Sequence, residues 1–432
     1  MSRTYEEAVK YILDIPRFTK KNDLVHTKTF LRYLGDPQED LKILHVAGTN
    51  GKGSVCAYLD AMLRAEGKHT GLFTSPHLVR MNERIVLDGR QIGDGSFCQV
   101  FEEVLSKVRE MQRAGMPHPT FFEFLFGMAM LAFRKTGVEY AVVETGLGGR
   151  LDATNAAEHP LVTVITSIGM DHMEYLGDTI GKIAGEKAGI IRPGVPVFYA
   201  QTCEESDRVI RQTAENRHCF CKKIGKDAYE ILGIEDKHIA FSCANAYYGN
   251  TTWKLNNIGV YQPCNALLAM EAMRFLFGEA GHPKLWRQAL AEVKWGGRME
   301  EILPDVYVDG AHNISAVEAF AQSVPESAEG NIILFSAVRD KEYTEMIACL
   351  CRNVQADLYV VAQIGDDRGA GASALGKVFE EHTDKPVIVR ESVKDAFRYV
   401  LEHQKGRAVY CLGSLYLTGE IKGLIQEVKQ KC

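Results

Sequence analysis

The residues best suited to chemistry open with Gly48-Thr49-Asn50-Gly51-Lys52-Gly53-Ser54, which directly follows the apolar run Ile43-Leu44-His45-Val46. Glycines let a backbone wrap closely around phosphate oxygens and point its amides at them. Lys52 supplies a cation for the terminal phosphates, and the Ser54 hydroxyl suits a bound Mg²⁺. Val55, Leu59, Met62 and Leu63 then recur on one face of a helix, so the segment reads as strand, glycine turn and helix N-terminus, an anion site. The first glycine lies closer to the lysine than G-x-x-x-x-G-K requires. A turn that binds nothing still does not account for this composition at a strand-to-helix junction.

Three more segments place polar groups where apolar strands end. Tyr140-Ala141-Val142-Val143 ends in Glu144, followed by Thr145-Gly146-Leu147-Gly148-Gly149-Arg150-Leu151-Asp152-Ala153-Thr154-Asn155. The run to Phe73 opens into Thr74-Ser75-Pro76-His77, and Leu161 to Ile168 opens into Gly169-Met170-Asp171-His172. Ligands of open parallel sheets gather beyond the carboxyl ends of strands, so these loops should share one rim with the phosphate loop. A carboxylate such as Glu144 can there hold Mg²⁺ against nucleotide phosphates. Gly146-Leu147-Gly148 lacks the third glycine and the later acidic residue of a dinucleotide fingerprint. Lys187, in Ile183-Ala184-Gly185-Glu186-Lys187-Ala188-Gly189, reads on bare chemistry as a helix-surface lysine paired with Glu186.

The elements that must carry these loops alternate short β-rich runs with helical patterns, an α/β chain with a mostly parallel sheet. Expected strands are Lys42–Val46, Thr70–Thr74, Tyr140–Glu144, Leu161–Ile168 and Val195–Ala200. A second series is expected at Val306–Val308, Ile332–Phe335, Leu358–Val361, Val387–Val389 and Ala408–Leu412. Between them, Cys221–Leu255 alternates polar and apolar residues, which suggests antiparallel strands attached to the main sheet. An amphipathic helix carrying Leu285, Ala289, Leu290 and Val293 precedes Trp295-Gly296-Gly297-Arg298, where a boundary divides domains 1–297 and 298–432. Gly365–Ala374 reads as a mobile surface connection.

The 432 residues carry a formal net charge of −6, so the whole-molecule field attracts neither nucleic acid nor acidic membranes. Anionic substrates must be held by locally placed cations and amides. The first residues form an amphipathic helix through Tyr5, Ala8, Val9, Ile12 and Leu13 that ends near Pro16, not a signal peptide. No apolar run is long enough to span a bilayer, and a cytoplasmic protein is expected. The 11 cysteines, from Cys56 to Cys432, are odd in number and lack a C-x-x-C pair, which favours reduced thiols over a metal site.

Together these segments resemble the Mur ligase superfamily, and more closely its folylpolyglutamate synthase/dihydrofolate synthase branch. The likeness runs from about Leu41 to Gly419. Its segments are H-V-A-G-T-N-G-K-G-S (45–54), F-T-S-P-H-L (73–78), N-E-R-I (82–85), E-T-G-L-G-G-R-L-D-A-T-N (144–155), G-M-D-H with E-K-A-G-I, D-G-A-H-N (309–313) and G-S-L-Y-L (413–417). It implies a phosphate-loop ATPase domain with a mostly parallel sheet and a smaller Rossmann-like C-terminal domain. It implies Mg²⁺ held by Ser54, Ser75, Glu144 and His172, and ATP bound by Gly48 to Ser54, Asn265, Arg298, Asp309 and Ser414. Lys52, Glu144, His172, Lys187 and His312 are the implied catalytic residues, with Lys187 at the position of a lysine that is commonly carbamylated. Ser75, Pro76, His77 and Arg84 match the loop implied to meet folate.

The implied reaction joins L-glutamate to a folate carboxylate through an acyl phosphate, with ATP as co-substrate and a monomer as the working form. Dihydrofolate synthase, or an enzyme of both activities that also uses dihydropteroate, is the alternative within the family. A peptidoglycan precursor ligase fits the T-S-P-H-L and N-E-R-I segments less well. A phosphate-loop switch or binding module is the non-ligase alternative; it predicts a guanine motif such as N-K-x-D, which the sequence lacks. Two segments depart from the family pattern: Gly296 replaces the usual proline before G-R, and Lys20 to His26, in the region implied to help bind the pterin, matches only loosely.

Overall fold

The computed structural model describes residues 3–15, 23–235, 237–249, 251–325, 327 and 330–431. Pro16, expected to end the first helix, Lys20 to Asn22 and Cys432 lie outside the described residues. The chain divides into two compact units, Met1–Glu230 with Phe241–Lys254 and Pro263–Val293, and Ile231–Ala240 with Leu255–Gln262 and Lys294–Cys432.

The first unit is built on eight strands: β1 (Lys42–Ala47), β2 (Thr70–Phe73), β3 (Ile85–Leu87), β4 (Arg90–Gln91), β5 (Tyr140–Glu144), β6 (Val162–Ile165), β7 (Val197–Ala200) and β8 (Cys221–Ile224). Their order in the sheet is β4-β3-β2-β5-β1-β6-β7-β8. Pairing is parallel from β2 through β8, while β3 and β4 form an antiparallel edge. The chain visits β5 and β2 on one side of β1 and β6 on the other, so β1 marks the reversal of strand order where a crevice forms.

Helices α1 (Tyr5–Asp14), α2 (Leu24–Tyr33), α3 (Lys52–Ala65), α4 (Asp94–Arg113) and α5 (Phe121–Lys135) accompany the first five strands. Thr120 opens α5 with a capping box closed by Glu123, and the helix is buried from Phe121 to Phe133 apart from Phe122. Helix α3 departs from the single apolar face its sequence suggests: every residue from Gly53 to Leu63 is buried. It packs against β2, β5 and helix Pro283–Glu292, which leaves it no water-facing side. That last helix buries Trp286 and Leu290, whereas Leu285, expected on its inner face, is 40% exposed.

The region Cys221–Leu255 also differs from expectation. Strand β8 joins the main sheet in parallel. Strands β9 (Tyr229–Glu235), β10 (His238–Cys243) and β11 (Trp253–Leu255) form a separate three-stranded sheet instead of extending it. In the second unit β12 (Glu300–Leu303), β13 (Val306–Val308), β14 (Asn331–Phe335), β15 (Leu358–Ala362), β16 (Val387–Arg390) and β17 (Ala408–Leu412) lie in the order β12-β13-β17-β14-β15-β16. All neighbours there are parallel except β12 and β13. Ile333, Phe335, Tyr359, Val361 and Tyr410 enter one core cluster, and Ile332, Leu334, Val360, Val409 and Cys411 another. The two-residue period therefore supplies apolar groups to both faces, as a helix-covered parallel sheet demands.

Gly365–Ala374 is more ordered than a surface connection. Ala370 donates to the Ala337 carbonyl at 2.9 Å, Arg339 to the Arg368 carbonyl at 2.8 Å, and a helix begins at Ala372. Among the described residues all ten cysteines are free, and no helix is long and apolar enough to cross a membrane.

Gly127 tests the packing of α5. Helix propensity favours Gly→Ala by about 1 kcal/mol. A Cβ at Gly127, however, would lie 2.4 Å from the Phe30 ring of α2. The clash should win, so that Gly127→Ala destabilises by about 1–3 kcal/mol in chemical denaturation; a gain in stability would contradict this packing.

Candidate active site

Strand β1 ends at Ala47 and delivers the loop 48–51, and β6 shapes it. Leu161–Ile168 was expected to be strand throughout, yet the ladder stops at Ile165. Beyond it the backbone turns to hold the loop: Thr49 donates to the Ser167 carbonyl at 2.8 Å, and Asn50 and Ser167 form an isolated bridge. The Thr49 hydroxyl donates to the Gly169 carbonyl at 3.1 Å and accepts from the Gly169 amide at 3.0 Å, which ties the loop to the segment carrying Asp171 and His172.

Gly48 has φ +151°, and a Cβ there would lie 1.8 Å from the Thr166 hydroxyl. Gly51 takes a left-handed conformation at the N-terminus of α3, with no side chain to cap the helix. The first amides of α3 are therefore aimed at whatever anion the loop receives. Asn265 abuts this glycine, its Oδ1 lying 2.4 Å from where a Gly51 Cβ would stand.

Two lysines meet at one acceptor. Lys52 Nζ donates to the carbonyls of Gly48 (3.0 Å) and Thr49 (3.2 Å), and Lys187 Nζ donates to the same Gly48 carbonyl at 2.8 Å. Lys187 is 4% exposed, so the surface reading is overturned; Glu186 pairs instead with Arg150, at 2.6 Å.

Glu144 is buried at the end of β5, and its Oε2 accepts the Ser75 amide at 2.9 Å, which brings the carboxylate and the loop after β2 together. Within that loop Arg84 Nε donates to His77 Nδ1 at 2.8 Å, and the guanidinium stands 5.3 Å from the centre of the Phe121 ring. Because arginine only donates, His77 must carry its proton on Nε2. Pro76 follows Ser75 through a cis peptide bond. Sequence reasoning missed Glu83, whose carboxylate collects the amides of Leu78, Val79 and Arg80 at 2.7–2.9 Å and so shapes the loop. An acidic residue three to five positions after a polar turn was the available signal.

His172 occupies a left-handed position before a short helix, its Nε2 3.8 Å from Asp171 Oδ2. Among the described residues, the buried hydroxyls of Thr145 and Thr166, beside Glu144 and Gly48, have no hydrogen-bond partner. Among the described residues no three His, Cys, Asp or Glu side chains gather as a metal cage. Mg²⁺ does not need one: it takes one or two protein oxygens and completes its shell with phosphates and water. A buried carboxylate with the Ser75 hydroxyl on the adjoining loop and the Ser54 hydroxyl in the first turn of α3 fits that ion.

The other expected site residues belong to the second unit. Asp309 is buried; its Oδ2 accepts from Tyr261 and from the Met299 amide, both at 2.8 Å, and its Oδ1 from the Ala311 amide at 2.8 Å. Burial raises its pKa against the opposing pull of Arg298 and these hydrogen bonds. Arg298 donates to the Gly297 carbonyl, His312 Nδ1 lies 2.7 Å from the Gly310 carbonyl, and Ser414 accepts the Tyr416 amide at 3.0 Å. Tyr261, far from Asp309 in sequence, gave no local signal.

The described part of the loosely matching N-terminal segment is anchored. Asp23 caps α2 by accepting the His26 amide, and His26 Nδ1 lies 3.7 Å from the buried Glu123. Contact with Glu123 raises the imidazole pKa, with the Pro117 carbonyl adding to it against burial. A raised folded-state pKa contributes stability that is full below the unfolded value of about 6.5 and is lost as pH rises through the folded value. His26→Gln should therefore lower Tm relative to the parent at about pH 5.5 and by less at about pH 9. A deficit that grows with pH would overturn the assignment.

A second prediction concerns the loop. Gly48→Ala should weaken ATP binding by more than about tenfold in calorimetry and also lower Tm, because a Cβ at φ +151° would collide with Thr166 and displace loop amides that Ser167 holds. Unchanged affinity would remove Gly48 from the site.

Comparison with known proteins agrees with this geometry. Residues 104–273 match the Mur ligase middle domain, and residues 297–415 the Mur ligase glutamate ligase domain. The chain is 35% identical to the dihydrofolate synthase/folylpolyglutamate synthase of Bacillus subtilis, over 98% of this chain and 99% of that one. Among solved structures, Mycobacterium tuberculosis folylpolyglutamate synthase complexed with ADP and AMPPCP superposes with a TM-score of 0.88 at 28% identity, covering 97% of this chain and 98% of that chain. E. coli FolC in complex with DHPP and ADP gives 0.83 at 26% identity, covering 99% of each. A phosphate loop at the strand reversal, a buried carboxylate beside it and these matches along both units make the chain a member of the folylpolyglutamate synthase/dihydrofolate synthase family of Mur ligases, ATP-dependent ligases.

Proposed function

We propose that the protein adds L-glutamate to the glutamyl carboxylate of a reduced folate, with ATP converted to ADP and phosphate. The observation that carries this reading is the loop 48–54 with Lys52 and Lys187 on the Gly48 carbonyl and Glu144 on the neighbouring strand. A folate carboxylate oxygen attacks the γ-phosphorus, the bond to the β-phosphate oxygen breaks, and ADP leaves. The glutamate amine then attacks the acyl carbon, phosphate departs, and the ammonium proton passes to solvent. Both steps build negative charge on oxygens.

The loop amides and the Lys52 ammonium are placed to stabilise that charge. For Lys52 this means leaving the carbonyls of Gly48 and Thr49 for the terminal phosphates. Ser54, Ser75, Glu144 and His172 are the residues we assign to Mg²⁺, which when bound neutralises phosphate charge. Reaction of Lys187 with CO2, its ammonium giving up two protons to solvent, would replace one of two crowded cations with a carbamate anion, and we assign it that modification. The resemblance also gives ATP contacts to Asn265, Arg298, Asp309 and Ser414, and a catalytic part to His312. His77 and Arg84, joined to each other after Ser75 and Pro76, are assigned to the folate.

A second reading has a specific support. The Bacillus subtilis relative is named for both dihydrofolate and folylpolyglutamate synthesis, so dihydropteroate is an alternative acceptor. ADP release measured with dihydropteroate or tetrahydrofolate, each with and without L-glutamate, separates the two. Release that needs tetrahydrofolate and glutamate together supports the main reading, and release with neither pair overturns both. Hydrolysis indifferent to both partners would indicate a nucleotide switch. Lys52→Ala and Glu144→Ala should each lower turnover by about 10²–10³-fold while the thermal transition is retained; near-normal turnover in either would defeat the site assignment.

A further inference from the structure

A buried chain of polar side chains crosses from β1 to the segment after Glu144. His45, Thr154 and Asp152 are at most 3% exposed. His45 Nε2 lies 2.8 Å from the Thr154 hydroxyl, which donates to Asp152 Oδ1 at 2.6 Å. The same Oδ1 accepts the Thr154 amide at 3.0 Å, and Oδ2 accepts the Leu147 amide at 2.8 Å.

The direction of this chain follows from the proton count. A threonine hydroxyl has one hydrogen, and here Asp152 takes it. The histidine contact must therefore run the other way, with Nε2–H donating and Nδ1 bare. Burial and the nearby Arg192 charge lower the His45 pKa to about 3, so the ring is neutral. Asp152 has its charge met by two amides and a hydroxyl.

The backbone gives the chain a purpose. His45 faces Val143 in the ladder, the residue before Glu144, and the Thr145 amide donates to the Val46 carbonyl at 2.9 Å. Beyond Thr145 the backbone leaves the sheet, and its next anchor is the Leu147 amide on Asp152. The loop 48–51 is held independently, through Ser167, Gly169, Lys52 and Lys187.

We propose that His45 is a positioning residue for the reaction, fixing the segment after Glu144 through Thr154 and Asp152 without touching substrate. This rests on the ligase reading for its kinetic consequence and on geometry alone for the hydrogen-bond chain. It separates two effects that damage to β1 would merge: the Leu147 anchor on Asp152 loosens, while Arg150 stays held by Glu186 and the phosphate loop keeps its own bonds.

The test has two arms. In ¹⁵N-histidine NMR of the full chain, assigned by His45→Gln, the His45 ring should be a neutral Nε2–H tautomer that does not titrate between about pH 5 and 8. A titrating ring or an Nδ1–H tautomer overturns the chain of bonds. In kinetics, His45→Leu should lower kcat/KM for the folate acceptor about tenfold with KM for ATP within about twofold. His45→Gln, which restores a donor, should recover most of the loss. Thr154→Val should reproduce His45→Leu, and the double variant should be no worse than either single one. Equal damage to the ATP KM, no recovery by glutamine, or multiplying effects would each overturn the proposal. Should His45→Leu fail to fold, Thr154→Ser with activity kept against Thr154→Val with activity lost decides the matter, and equal behaviour overturns it. If the parent releases no ADP with folate and glutamate, the functional reading falls while the NMR arm still decides the hydrogen-bond chain.

Discussion

The carbonyl oxygen of Gly48 accepts from both Lys187 and Lys52, and this shared acceptor governs the site in the first unit. Hydrogen bonds of 2.8 and 3.0 Å to one atom hold the two ammonium groups within about 6 Å of each other. Two unit charges at that separation repel by about 3 kcal/mol at an effective dielectric constant of ~20. The amides of α3, whose dipoles point positive end outward, add to the positive potential there. With both groups protonated an arriving anion relieves this repulsion, and the carbamylation proposed for Lys187 would relieve it covalently. A protein of net charge −6 concentrates positive potential in this way where its anionic substrate must go.

The arrangement depends on sheet order. With β2, β5, β1 and β6 as consecutive neighbours, the loops after them emerge side by side, although they lie up to about a hundred residues apart in the chain. Parallel pairing sends all four carboxyl ends to the same edge. Moving β6 away from β1 would remove Ser167 from the phosphate loop, and moving β2 away from β5 would remove the Ser75 amide from Glu144. The chemistry is therefore a property of topology as much as of motifs.

That division explains what could be read from the sequence. Strand and helix positions were legible because apolar runs and glycine punctuation are local, and Gly48 to Ser54 and Glu144 were legible because strand-end polar residues stand out in an apolar context. Lys187 was misjudged on bare chemistry because its neighbour Glu186 looked like a partner, whereas Arg150 takes Glu186 from another segment. Strand β6 was read too long because Thr166 to Ile168 are as strand-like as what precedes them; only the phosphate loop, remote in sequence, pulls them out of the ladder. The single face assigned to α3 failed for a similar reason, since small and polar residues such as Ser54, Ala57 and Asp60 are buried when helices and sheet cover every side.

What local reading missed most consistently was the part carboxylates play in holding backbone. Glu83 gathers three consecutive amides, Asp152 those of Leu147 and Thr154, and Asp309 those of Met299 and Ala311. Each stands beside a loop at the carboxyl end of a strand, where the ladder no longer supplies partners for the amides. A carboxylate suits the task because two oxygens offer about four acceptor sites, and each charge-assisted bond contributes about 1.5–3 kcal/mol. Their effect on function is indirect. Loops already held by such bonds need little reorganisation when charge develops on a substrate, and preorganised donors stabilise that charge most. The residues that ready the site thus include carboxylates that need touch neither ATP nor folate, and most of their amide partners lie within a few residues of them.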